Sequence, residues 1–167
     1  MRHRRHLGVL ALVCACFVAA PLARADKPQK FPLPAEPGTL PADICGFPVD
    51  FVPLQNNEFG KVFSNGVFAV NGVLKMRYTN SVTGKSIDLN ISGGGTFVDL
   101  GDGTARVTGH GPAAIFFFPG QVAADAPGGI FLVHGQFTEL VDLATGAPIV
   151  GSFHTTGRVQ DLCAMLS

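Results

Sequence analysis

Residues 66–85 read GVFAVNGVLKMRYTNSVTGK, and residues 129–148 read GIFLVHGQFTELVDLATGAP. Gly66 and Gly72 of the first copy match Gly129 and Gly135 of the second at the same spacing. A single-residue gap then aligns Thr83-Gly84 with Thr145-Gly146. Within the first copy Phe68, Val70, Gly72, Leu74, Met76 and Tyr78 share one phase of a two-residue period. Phe131, Val133, Gly135, Phe137, Val141 and Leu143 do so in the second. A period of two is that of a half-buried antiparallel strand. Each copy therefore predicts a strand–turn–strand unit, and the pair predicts an internally duplicated all-β chain.

The flanking sequence continues the pattern. Residues 86–92 alternate strictly, with Ile87, Leu89 and Ile91 inward and Ser86, Asp88, Asn90 and Ser92 outward. Residues 96–100 and 104–109 predict a hairpin across Gly101-Asp102-Gly103, because Asp-Gly supplies the positive φ that tight turns need. Residues 113–118 form a strand apolar on both faces, and residues 149–162 a closing strand with Phe153 and Val159 inward. No long helix is expected. About eight strands in one domain predict a closed antiparallel barrel, with a two-sheet sandwich as the alternative. A barrel of that size is filled by side chains or holds one small ligand.

The N-terminus reads as an export signal. MRHRRH is basic, residues 7–20 are apolar, and Ala23-Arg24-Ala25 is an A-x-A cleavage site. The apolar run is too short to span a bilayer, which needs about 20 residues. A lipid anchor on Cys16 is the alternative. The division is thus residues 1–25 as signal peptide, 26–42 as a Pro-rich extended arm, and 43–167 as the all-β domain. Cleavage removes Arg2, Arg4, Arg5 and Arg24, leaving eight basic against twelve acidic residues. That mild acidity, with its charges scattered, carries no footprint for nucleic acid or an anionic membrane. Cys45 and Cys163 remain, and an even pair in an exported chain reads as one disulfide. It closes a loop of more than a hundred residues.

Three stretches carry a resemblance. Cys-Gly-Phe-Pro-Val at 45–49, Thr-Gly-Lys at 83–85 before an alternating strand with a Gly-rich end, and Asp-Leu-Cys at 161–163 follow the export signal. In these the chain resembles a family of small exported all-β proteins of high-GC Gram-positive bacteria, a family of unknown function. The resemblance implies export, one disulfide and an all-β domain. It carries over no functional residue.

Chemistry is sparse. Glu139 takes the place of Met76 in the repeat, on the inward phase, where a carboxylate must be paired, hydrated or protonated. It is the one candidate catalytic residue; a strand-mouth position or a bulge is the plainer account. His110, His134 and His154 fall on separate outward-facing positions without ligand spacing, so no metal is expected. Neither G-x-S-x-G, G-x-G-x-x-G nor a P-loop occurs, and no cofactor is expected. The Phe-rich composition suggests instead an apolar ligand site, with Phe117, Phe131, Phe137 and Tyr78 as its candidates. The expected function is a secreted, non-catalytic binding protein for a small apolar molecule. The alternatives are a small isomerase or cyclase using Glu139, and a cell-surface interaction module.

Overall fold

The computed structural model describes residues 27–167. The predicted export segment, its predicted cleavage site and the alternative anchor at Cys16 lie outside the described residues. The chain is all-β and antiparallel, as its periodicity predicts. Seven extended segments each break once, so each contributes two strands. The arm gives β1 (Gln29–Pro32) and β2 (Gly38–Leu40), and the single-turn helix α1 (Ala42–Cys45) follows. The next segments give β3 (Val49–Asn56) with β4 (Phe59–Val62), β5 (Phe68–Asn71) with β6 (Leu74–Asn80), and β7 (Ser86–Asn90) with β8 (Gly95–Asp99). The last give β9 (Thr104–His110) with β10 (Ala113–Phe117), β11 (Gly129–His134) with β12 (Gln136–Asp142), and β13 (His154–Thr155) with β14 (Arg158–Asp161). Helix α2 (Leu162–Leu166) ends the chain.

One strand from every segment joins a seven-stranded sheet ordered β1-β4-β5-β8-β9-β12-β13. The others form two small sheets, β2-β3-β6-β7 and β10-β11-β14. Among the described residues the strands form no single closed ring, because β7 and β10 share no ladder. In place of the expected eight strands, the described residues form fourteen short ones in three sheets. The sequence predicts an extended arm without a core of its own, and the structure pairs that arm into the sheets. Its two strands pair with β4 and β3.

The breaks lie along one crease. Leu33 N–H donates to the Glu58 carbonyl at 3.1 Å, and Asn57 N–H to the Val73 carbonyl at 2.8 Å. Gly93 N–H donates to Pro112 at 2.9 Å, and Gly111 N–H to Gly135 at 2.6 Å. Backbones approach so closely here that a Cβ on Gly93, Gly111 or Gly157 would overlap the His110, Val133 or His134 carbonyl. Gly72 and Gly135, the shared second glycine of the repeat, have φ of 132° and 114°, a region that suits glycine. They are corners at which the chain passes from one sheet to another, not interior strand residues.

The repeat is also exact in its turns. Asn80 Oδ1 accepts from Val82 and Thr83 N–H, and Asp142 Oδ1 accepts from Ala144 and Thr145 N–H. Gly84 and Gly146 each donate back to that Asn or Asp carbonyl at 2.8 Å. These are Asx turns, in which a short polar side chain substitutes for backbone.

The two small sheets face one another. Val49, Met76 and Tyr78 pack against Ile130 and Leu132, with Ile44, Leu162 and Leu166 of the helices closing the end. A Cys45–Cys163 disulfide joins α1 to α2. The expected closing strand over 149–162 is shorter than predicted. Gly151 and Gly157 interrupt it, Val159 is exposed, and Asp161 caps α2 by accepting from Ala164 N–H at 3.1 Å.

Candidate functional site

The register of the large sheet creates a trough. One row across it reads Gly60, Val70, Gly95, Gly109 and Phe137. The adjacent row on the same face reads Val62, Phe68, Phe97, Val107 and Glu139. Three glycines, Gly60, Gly95 and Gly109, leave gaps in the first row, while the second carries a side chain at every position. The result is an apolar cleft of about 240 Å³ above the crease, walled by Phe68, Val70, Phe97, Val107 and Phe137 and floored by Gly93, Gly94, Gly95 and Gly109. The Phe137 ring lies over Gly109, where a Cβ would meet it. None of Phe68, Val70, Phe97 or Val107 is fully buried, so this face stays open.

A second apolar cleft, of about 250 Å³, lies across the crease where β7 and β10 part. Phe51, Leu74, Met76, Tyr78, Ile91 and Phe116 line it, with Glu36 of the arm at its edge. Tyr78 is the polar group inside. Burial pushes its phenol up to about 12, so the group stays a neutral hydroxyl donor at ordinary pH.

The four predicted ligand residues are thus divided. Phe137 lines the cleft above the crease and Tyr78 the one below. Phe117, 1% exposed, packs instead on the other face of the β10–β11 ladder, with Phe131 at 6.3 Å and Phe153 at 5.1 Å between ring centroids. Phe153 in turn reaches Phe137 at 6.2 Å, as its inward phase predicts. The sequence does not mark Phe68, Phe97 or Val107 as ligand residues. Their common phase in neighbouring hairpins was visible there, but nothing marked the glycine row beside them.

Glu139 shares its face with Phe137 and Val141 and pairs opposite Val107. It is half-buried, and its Oε2 is buried with no hydrogen-bond partner. Burial raises its pKa above the usual carboxylate range. It does not line the apolar cleft. It borders a smaller one of about 190 Å³ together with Arg106, Thr138, Leu140, Ser152 and His154. The Ser152 hydroxyl is taken by the Leu140 backbone, accepting from its N–H at 3.0 Å and donating to its carbonyl at 3.3 Å. His110, His134 and His154 are exposed on separate strands, and His134 Nε2 sits 3.1 Å from Gln160 Oε1. Among the described residues no three ligating side chains are grouped for a metal, and no helix is long and apolar enough to cross a membrane. No protein-family model, curated protein or solved structure matches the chain.

Proposed function

We propose that the protein is an exported, non-catalytic binding protein that holds a small apolar molecule in the cleft above the crease. The observation that supports it is the glycine-floored trough, whose apolar walls are left open where a solid core would fill them. Its volume falls just under the ~300–1,000 Å³ of drug-sized pockets, which suits a small ligand. Export is supported by the signal-like N-terminus and by the disulfide, a bond that persists in oxidising compartments. In this reading the two small sheets are the closed end of an incomplete barrel, and the large sheet is its open wall.

The test is a native mass spectrum of the exported protein. The expected result is extra mass that leaves on denaturation and is lost in a folded Val107→Asp variant. An adduct that survives Val107→Asp unchanged places the ligand elsewhere, and an unliganded mass from the native host overturns the reading.

The unpartnered oxygen of Glu139 favours a second reading, a small isomerase or cyclase with Glu139 as proton acceptor. A carboxyl whose pKa is raised by burial suits that role. This reading requires the carried molecule to change when wild type is replaced by Glu139→Gln. An identical ligand in both removes it.

A further inference from the structure

Charges scattered in the sequence are gathered in space at one corner of the large sheet. Lys30 and Lys61 stand directly opposite each other across the β1–β4 ladder. Like charges at directly opposed positions repel and destabilise a sheet. Both ammonium groups lie over the same ring, at 3.7 Å and 5.3 Å from the Phe59 centroid. Lys27 lines a groove of about 440 Å³ beside the β4–β5 hairpin, with Gln29, Ser64, Val62 and Phe63. Among the described residues the ion pair is Arg77 with Asp88, and none of these three lysines takes part in one. The corner is also apolar. Phe31 and Val62 are exposed on the opposite face of the β1–β4 ladder from Lys30 and Lys61, and Phe63, 38% exposed, stands at the hairpin tip.

We propose that this corner docks the protein on an anionic lipid surface. Three lysines that form no ion pair among the described residues complement acidic headgroups, each contributing about 1 kcal/mol near such a surface. The Phe63 ring at the tip, in the groove that Lys27 lines, suits the apolar boundary beneath the headgroups. A soluble polyanion would use the lysines and leave Phe63 idle.

The neighbouring tips fix the tilt. The β8–β9 hairpin and the turn after β12 lie at the same end and carry Leu100 and Leu143, exposed by 38% and 41%. Beside them Asp102 is held below the usual carboxylate range by the Thr104 hydroxyl, and Asp142 by the Thr145 backbone N–H. Those carboxylates stay charged and are repelled, so the molecule leans on its β1–β4 corner. The inference is independent of the cleft and of what it holds.

The test is co-sedimentation with vesicles of equal parts phosphatidylglycerol and phosphatidylcholine, beside vesicles of phosphatidylcholine alone. The protein should partition onto the anionic vesicles and leave them as salt rises. Lys30→Gln and Lys61→Gln should each weaken partitioning about five-fold, and Phe63→Ser about ten-fold. Leu143→Ser, equally exposed, should change nothing. All four positions are at least partly exposed, and a thermal melt confirms that each variant folds. No preference for anionic vesicles overturns the proposal. So does a lysine dependence with no effect of Phe63→Ser, the mark of a soluble polyanion site. A loss with Leu143→Ser as large as with Phe63→Ser also overturns it, as unspecific apolar adhesion.

Discussion

Glu139 stands where Met76 stands in the first copy, and the two show what one side chain does at that position. Met76 is buried among apolar neighbours, whereas Glu139 carries a buried oxygen that nothing satisfies. A buried acceptor left unpaired costs about 1–3 kcal/mol. Glu139→Met should therefore raise stability at pH 7 by about 1–2 kcal/mol, read from the denaturant midpoint. The pH dependence has a definite sign. The folded pKa lies above the unfolded value, so the native state is favoured while the carboxyl is protonated. Wild type loses stability as pH rises from the ordinary Glu value through the raised one. The advantage of Glu139→Met should shrink as pH falls through that window, and a constant advantage would exclude burial of the charge as its cause. The inward phase of Glu139 was legible in the repeat. Its lack of a partner was not, because partners come from other strands.

At the scale of elements, the period-two pattern located the strands well. The hairpin over Gly101–Gly103 and the alternating strand at residues 86–90 lie where the sequence places them. What the pattern could not show is where a strand changes sheets. Alternation runs through Gly72 and Gly135 without interruption, although the backbone turns a corner at each. A Cβ at Gly135 would press on Gly157 Cα at 2.8 Å, in a conformation side chains rarely adopt. Gly135→Ala should cost about 3 kcal/mol or more, from strain and overlap together, and Gly66→Ala gives the comparison. Gly66 also has positive φ, but a Cβ there meets nothing within 4 Å, so it should cost less. Equal losses at the two sites would mean that close approach at the crease contributes nothing. Helix α2 is hidden for a related reason. The alternation runs the closing strand through Leu162, although Asp161 caps a helical turn over Leu162–Leu166.

For the whole molecule, composition gave net charge and the cysteine pair, and both readings need the fold to complete them. Charges that balance over the whole sequence concealed a corner that carries Lys27, Lys30 and Lys61. The arm brings Lys30 opposite Lys61 of β4, and only the β1–β4 register shows it. The disulfide was legible because, of the four cysteines, Cys45 and Cys163 are the two outside the predicted signal segment, and two allow one pairing. Its sequence separation of 118 residues implies about 5 kcal/mol in the chain-entropy model. Cys163→Ser, or wild type with reductant, should lose stability on that scale, and a loss under about 1 kcal/mol would show that the unfolded chain is already compact. The same bond has a mechanical meaning. Cys45 and Cys163 lie near the two ends of the domain, so tension applied at the chain termini passes through sulfur and bypasses every strand from β3 to β14. Pulled in a single-molecule instrument, the oxidised protein should yield only its arm, as β1 and β2 peel from β4 and β3. The reduced protein should release in addition the full contour of the 118-residue loop.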